Sequence, residues 1–330
     1  MVATIQTFTR ALQTPDLSFR TLGEARPVLD ANGLPRLMRT TRFAEAEISW
    51  QGRRWLLALP LSPAALFTLE RTLQQMARCS SPWLPECRLL RGEMSWYGPT
   101  GTPRSCDLLL QLLPEGRSFD EALCCEGGER LVEELDALQQ ELRRLNLCHG
   151  NLRRDNLRWT GRRFVPIRFY DAGVGTPERD DAAFDTLRQE VLRAAGIPGV
   201  SDVEADYEAP GRWPGHRWVS NLFEGMVCVE DETGYGYVDA ENRPVIASQY
   251  LWAGDFHEGR AEVQTAEGMG LIDRQGHYVI PPEYEIVSYV PAESVSHVRQ
   301  NGRWALFDYL GRRISPFVED GERLGVWAEA

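Results

Sequence analysis

The second half of the chain repeats itself, and this repeat restricts the possible folds more than any other feature. The dipeptides Tyr235-Gly236, Met269-Gly270 and Trp304-Ala305 stand 34 and 35 residues apart. An aspartate follows each dipeptide, and an asparagine or glycine follows three residues later. These pairs are Asp239 and Asn242, Asp273 and Gly276, and Asp308 and Gly311. A fixed period of this length is typical of chains built from one repeated supersecondary unit.

Each copy has the pattern of a β-hairpin. Short runs such as GYVD and GLID alternate in polarity, as strands do. The D-x-x-N/G spacing indicates a tight connection whose last residue takes positive φ, which Asn and Gly tolerate. Val245, Val279 and Ile314 then open the returning strands. One hairpin does not bury its apolar face alone, so the three copies are expected to pack together as an all-β domain over residues 222–330.

The repeated columns resemble the WG-repeat family over residues 222–320. This resemblance implies a bacterial protein of repeated β-structure with a binding role. Only the third copy keeps the tryptophan, and there the glycine is replaced by Ala305.

The first half mixes strands and helices. Two strand-like runs flank Gln51-Gly52, which indicates a hairpin turn. Residues 62–79 and 128–147 have apolar positions at helical spacing; in the second of these, the buried face is predicted to carry Leu131, Leu135, Leu138, Leu142 and Leu145. Strands are predicted at 85–94 and 106–114, a hairpin at 157–169 and a helix at 180–196.

Composition narrows the cellular setting and the partners. The net charge is −12, which disfavours nucleic acid as a partner. All 36 basic residues are arginine, so no mechanism here can use a lysine side chain; codon bias and selection against lysine modification both remain open as reasons. Seven cysteines without C-x-x-C spacing argue against a disulfide framework. With no long apolar run, we expect a cytoplasmic protein without membrane insertion.

The motif HGNLRRDNL at residues 149–157 is followed by Asp171-Ala172-Gly173. Together they are similar to the catalytic loop and metal-binding motif of protein-kinase-like folds, and the resemblance covers about residues 20–198. The predicted fold is therefore α+β: a truncated bilobal protein-kinase-like domain at 1–199, a linker at 200–221, and an all-β domain of three WG-like repeats at 222–330.

The resemblance also shows where this chain departs from a working kinase. Asn151 occupies the position of the catalytic aspartate, and an amide is a poor proton acceptor at neutral pH. Residues 20–62 lack a glycine-rich loop, and the expected lysine near Ala58 is absent. Glu70 matches the helix glutamate, although it could equally be a solvated or locally paired carboxylate. No catalytic residue is therefore predicted.

Two positions keep their family identity. Asn156 and Asp171 match the metal ligands, so ATP with Mg²⁺ could be held there; alternatively, both side chains only brace the loop. Arg153 could meet a phosphate or simply be solvated. His149 is expected to have a structural role beneath the loop. Arg154, Arg158, Arg162, Arg163 and Arg168 are expected mostly on a hairpin surface. No cofactor is predicted beyond this possible nucleotide and metal.

These observations favour a catalytically inactive pseudokinase that binds or scaffolds a protein partner through its kinase-like domain and its repeats. The alternative is a divergent phosphotransferase or nucleotide-binding regulator that uses Asn156 and Asp171 with a metal. A third possibility is that the repeats carry the function and the first half positions them.

Overall fold

The computed structural model describes residues 3–98, 100–170, 172–174, 177–196 and 213–319. The chain divides into two compact units. The first comprises Met1–Arg39, Phe43–Leu61 and Thr68–Asp202, and the second comprises Val203–Ala330 with the short segments Thr40–Arg42 and Ser62–Phe67.

The first part of the chain forms two helices and an antiparallel sheet whose strands differ in length. In chain order the elements are α1 (Ile5–Gln13), α2 (Pro15–Ser18), β1 (Arg26–Pro27), β2 (Leu37–Arg39), β3 (Phe43–Trp50), β4 (Arg53–Pro60), α3 (Pro63–Ala77), β5 (Cys87–Tyr97) and β6 (Pro103–Leu112). The strand order is β1-β3-β4-β6-β5, with β2 also pairing with β3. The predicted hairpin turn is confirmed: Gln51 and Gly52 have φ of 51° and 72° between the paired residues Trp50 and Arg53.

The rest of the first unit is mainly helical. Its elements are β7 (Arg117–Ser118), α4 (Phe119–Cys125), α5 (Gly128–Arg144), β8 (Leu147–Cys148), β9 (Leu157–Trp159), β10 (Phe164–Pro166), β11 (Gly173–Val174) and α6 (Asp181–Ala194), with short 3-10 turns at Arg154–Asn156 and Pro177–Asp180. The predicted leucine face of α5 is confirmed except at its end, since Leu131, Leu135, Leu138 and Leu142 are buried and Leu145 is partly buried.

The first unit has two main apolar cores. One lies between α1 and a face of the sheet, where Phe8 and Leu12 pack with Ile48, Trp55 and Leu57. The other joins α4, α5 and α6 to the β9–β10 hairpin. Helix α1 was not predicted from the sequence. It starts at a capping residue, because the Thr4 side chain accepts a hydrogen bond from Thr7 N over 3.1 Å.

The second unit consists of three antiparallel sheets in a row along the chain. The first contains β12 (Trp218–Phe223), β13 (Met226–Glu230), β14 (Tyr235–Asp239) and β15 (Pro244–Tyr250). The second contains β16 (Trp252–Ala253), β17 (Ala261–Gln264), β18 (Met269–Ile272) and β19 (Tyr278–Tyr284). The third contains β20 (Ile286–Val290), β21 (Val295–Gln300) and β22 (Arg303–Asp308), with a 3-10 turn at Pro291–Glu293.

The predicted linker at 200–221 lies outside the described residues up to residue 212, and its last four residues belong to a strand. Trp218–Phe223 is a strand that pairs with Met226–Glu230, and Val219 and Leu222 pack against the cluster of Trp213, Val227, Val229 and Val238. Glycine and proline before residue 216 obscured this strand, because its apolar residues follow them directly. The first sheet therefore begins at residue 218 rather than at 222.

Candidate functional site

The candidate site is a cleft of ≈ 360 Å³ in the first unit. Its walls come from the sheet, from the segment that follows β6, and from the loop that carries the HGNLRRDNL motif. The lining residues are Val28, Arg36, Met38, Glu45, Glu47, Leu56, Leu113, Ser118, Phe119, Asp120, Arg154, Asp155, Leu157, Arg158, Ile167 and Arg168.

The loop is fixed from below by a buried carboxylate. Asp180 accepts hydrogen bonds from the backbone N–H of His149 at 2.5 Å and of Gly150 at 3.0 Å. The His149 ring is fully buried, packs on Phe169 at 4.6 Å between centroids and lies 2.9 Å from Ile167 O through Nε2. Nδ1 accepts from Asn151 N over 3.3 Å, which leaves Nε2 as the nitrogen placed to donate to Ile167 O. His149 thus has the structural role that was expected. Asp180 lies outside the motif, so no sequence pattern pointed to it.

Both polar atoms of the Asn156 side chain form hydrogen bonds within the first unit. Its Nδ2 donates to Asn151 O over 2.7 Å, and its Oδ1 accepts from Arg168 Nη1 over 3.2 Å. The side chain is fully buried. These contacts match the bracing alternative, and a metal ligand role for Asn156 stays a prediction that requires Arg168 to move.

Arg168 crosses the cleft. Its Nε donates to Glu45 Oε2 over 2.6 Å, and Nη1 also donates to Asp155 O over 2.8 Å. The Arg168 backbone has φ of 65°, a left-handed conformation, and two residues later the Tyr170 ring packs on Phe43 at 4.3 Å between centroids. The segment before Asp171-Ala172-Gly173 is therefore held against β3 by an ion pair and a ring contact.

The remaining predicted residues are dispersed. Asp171 lies outside the described residues, although Thr72 of α3 donates to Ala172 O over 3.0 Å next to it. Arg153 is half-buried and is not among the residues that line the cleft. Glu70 forms an ion pair with Arg91, which also pairs with Asp107 at 2.7 Å, so the local-pairing alternative holds. Ala58, at the position of the missing lysine, is fully buried.

The expectation for the other arginines was wrong in part. Arg154, Arg158 and Arg168 line the cleft instead of lying on the surface of the 157–169 hairpin. Their positions depend on how β9 and the segment after β10 meet the sheet, which the local sequence does not encode. Within the described ranges, His, Cys, Asp and Glu side chains form no group of three that could hold a metal ion.

The second unit repeats one set of hydrogen bonds in each of its three copies. In each copy the aspartate closes the turn after it: Oδ1 of Asp239 accepts from Glu241 N at 3.0 Å and from Arg243 N at 2.8 Å. The same pair of bonds recurs at Asp273 and at Asp308. The predicted positive φ is confirmed at 62° for Asn242, 84° for Gly276 and 76° for Gly311.

The matches to known families come from these repeats. Residues 235–267 and 269–304 match the family model described as WG containing repeat. Residues 235–304 are WG-containing β-repeats. No curated protein matches the chain.

The glycine of the WG repeats faces a bulge in the returning strand. Tyr235 pairs with Tyr250 but Tyr237 pairs with Ile246, so the returning strand has two extra residues opposite Gly236. A Cβ on Gly236 would lie 2.6 Å from Ile246 O, and one on Gly270 would lie 2.7 Å from Ile280 O. In the third copy Trp304 pairs with Val318. This partner is one residue nearer along the chain than the partner of Tyr235 in the first copy, and Ala305 replaces the glycine. The shorter bulge accounts for the alanine.

Successive WG repeats are joined through their first turns. The Glu224 carboxylate accepts hydrogen bonds from the backbone N–H groups of Glu258 and Gly259, the latter at 2.8 Å. Glu258 in turn accepts from the hydroxyls of Tyr289 and Tyr309, at 3.2 Å to its carboxylate and 3.1 Å to its backbone oxygen. These turns therefore connect all three copies.

Of the helices in the described ranges, none combines the length and the apolar character that a membrane crossing requires. The expectations of no nucleic acid and of a cytoplasmic location stay predictions.

Proposed function

We propose that this protein is a non-catalytic, kinase-like binding protein whose WG repeats provide a surface for a protein partner. The observation that supports it best is the contact of Arg168 with Asn156 and Glu45. In this arrangement a guanidinium group occupies the oxygen of Asn156 that a kinase-like site would offer to a metal ion.

Phosphoryl transfer depends on positioning and on neutralising the charge of the phosphates. In the kinase-like pattern the position of the lysine is the buried Ala58, and the position of the base is Asn151. Arg168 does supply positive charge, but Glu45 neutralises it at 2.6 Å. The loss of the lysine and of the base supports a non-catalytic role.

A binding role for the repeats has support in their exposed residues. Val245 and Ile314 hold the same position in the first and third copies and are 44% and 56% exposed, whereas Val279 at that position in the second copy is partly buried. Apolar side chains repeated at one position of a repeat array form a regular contact surface for a partner. Single exposed apolar residues are common, so the repetition carries this argument.

The partner-binding proposal is tested in the full-length protein. Partners captured from a lysate of the source organism by the wild type should be lost with a Val245→Asp/Ile314→Asp double variant. The control is Leu17→Asp, because Leu17 is a 78% exposed leucine on α2, outside the repeats. Capture that is unchanged in the double variant would refute binding through this surface.

A second candidate is a nucleotide-binding regulator, which the open cleft with its apolar wall of Leu56, Leu113 and Ile167 favours. A ligand at about 100 times its Kd stabilises a protein by about 2.7 kcal/mol, which is visible in a melting curve. The first proposal predicts no rise in Tm that depends on Mg²⁺ with ATP. A rise that requires Mg²⁺ and is lost in Asp171→Asn would favour the second candidate.

A further inference from the structure

Arg158 is a half-buried arginine of the cleft with one buried N–H that has no acceptor in the described part of the chain. It lies on β9, is half-buried, and donates from Nη2 to Gly116 O over 2.6 Å. Its Nε is buried and has no hydrogen-bond acceptor among the described residues. No carboxylate of those residues forms an ion pair with it either. A buried guanidinium N–H without an acceptor is unfavourable. Arg158 lines the cleft, so an added acceptor there can bond the other N–H groups of its guanidinium.

The charged groups near Arg158 also bear on whether it can bind an anion. Burial lowers the pKa of Arg158, and the positive charge of Arg54 lowers it further. Two carboxylates oppose this effect, but both have other partners. Glu47 accepts from Arg54 Nε at 2.5 Å, and Glu121 accepts from Ser118 N at 2.7 Å in the capping box of α4. Both carboxylates that act on Arg158 are therefore already bonded to other donors.

Two other arginines of the cleft already form hydrogen bonds with carboxylates. Arg168 bonds Glu45, Asn156 and Asp155 O, and Arg154 bonds Asp120 with its Nε at 2.9 Å. An anion that bound Arg168 or Arg154 would have to compete with a carboxylate of the protein. At Arg158 it would have no such competitor.

An apolar wall lies in the same cleft. Leu56, Leu113 and Ile167 form a separate cluster and are only 5%, 5% and 3% exposed. The cleft volume of ≈ 360 Å³ is within the range of about 300–1,000 Å³ for small-molecule sites. Such sites combine an apolar lining with a few polar groups that orient the ligand.

We propose that this cleft binds a small organic oxyanion without a metal ion. Its carboxylate or phosphate group bonds Arg158, and its ring-sized apolar body packs on Leu56, Leu113 and Ile167. This inference goes beyond the proposed partner-binding function, since it concerns a different unit and a different ligand class.

The test uses phenyl phosphate and phenylacetate as anionic probes and benzyl alcohol as the neutral probe of similar shape. Melting of the full-length protein is followed at constant ionic strength with EDTA. At least one anion should raise Tm saturably, and benzyl alcohol should not. The probe that works better distinguishes a phosphate ligand from a carboxylate ligand.

Variants then assign the effect to one side chain. Arg158→Gln should weaken the effective anion by about tenfold or more, the loss expected for a charge-assisted hydrogen bond. Arg162→Gln should leave it unchanged, because Arg162 is exposed and is not among the cleft-lining residues. Equal shifts in the wild type and Arg158→Gln, or no shift with either anion, would overturn the proposal.

A second measurement needs no variant and so stays informative if Arg158→Gln does not fold. Phenylglyoxal modifies arginine side chains, and peptide mass spectrometry reports the rate at Arg158. The effective anion should slow this reaction at Arg158, and benzyl alcohol should not. An unchanged rate would contradict the site. Neither readout depends on phosphoryl transfer or on partner capture, so failure here leaves the proposed function standing.

Discussion

Arg168 and Glu45 form an ion pair inside the first unit, with Nε of Arg168 2.6 Å from Oε2 of Glu45 and side chains only 10% and 2% exposed. The pair links the segment before Asp171 to β3. Since Arg168 also bonds Asn156, it connects the loop of residues 149–157 to the sheet. The cleft is therefore organised by an internal salt bridge.

Removing one member of this pair should destabilise the protein strongly. Arg168→Met leaves Glu45 buried and unpaired, and breaking a buried pair in this way costs about 3–5 kcal/mol. The double variant Arg168→Met/Glu45→Leu should recover most of the loss, because it removes both charges. Urea unfolding measures the three free energies. A double variant as unstable as the single one would show that the pair is not the main contribution of Arg168.

The glycine of the WG dipeptide should be replaceable only where the bulge is short. Gly236→Ala and Gly270→Ala each place a Cβ 2.6–2.7 Å from a backbone oxygen, so we expect losses of about 1–3 kcal/mol from overpacking. Gly127→Ala is the control, because it has φ of −70° and no atom within 4 Å of the added Cβ. Thermal unfolding compares them, and a Gly236→Ala variant as stable as the control would contradict the bulge explanation.

The repeated aspartates should make the second unit sensitive to acid. The backbone N–H of Arg243 lowers the pKa of Asp239, and the Arg312 side chain lowers the pKa of Asp308. Because the folded pKa lies below the unfolded value of about 3.9, this stabilisation is present above that pH and is lost as the pH falls through the folded pKa.

Tm measured along a pH series checks this dependence. Asp239→Asn keeps the Oδ1 acceptor for Glu241 N and Arg243 N but does not titrate, so its Tm should fall less in acid than that of the wild type. A parallel decrease in both proteins would exclude Asp239 as a source of the acid sensitivity.

Glu224 should couple the first two repeats. Glu224→Ala removes the acceptor for the backbone of Glu258 and Gly259, with an expected cost of about 0.5–1.5 kcal/mol. Hydrogen exchange at Glu258 and Gly259 should accelerate. Glu232→Ala is the matched control, since that carboxylate is 87% exposed and only 3.5 Å from an exposed arginine. Equal exchange in both variants would argue against the coupling.

The sequence predicted much of the fold because many of its signals are local. The spacing of Asp239 and Asn242 identified a turn that the structure contains, and the leucines of α5 identified a buried face. Gly236 was visible as a repeated column in the sequence. The residue must be glycine because of a bulge in another strand. That reason depends on strand register, which no local pattern encodes.

The site was less predictable for the same physical reason. Asn151 and the absence of lysine could be read directly from the sequence. The contacts of Arg168 with Glu45 span 123 positions along the chain, and Asp180 reaches the loop from 31 positions away. Arginines that looked like hairpin surface residues thus line the cleft, because tertiary packing determines where they lie.

Incubation with γ-labelled ATP tests most directly the proposal that the cleft does not transfer phosphate. The full-length protein, with Mg²⁺ or Mn²⁺, should incorporate no label and should label no added protein substrate. Asn151→Asp, which restores the missing carboxylate, should also remain inactive, because Arg168 still bonds Asn156 and residue 58 is still alanine. Robust labelling by the wild type that Asp171→Ala abolishes would contradict the account.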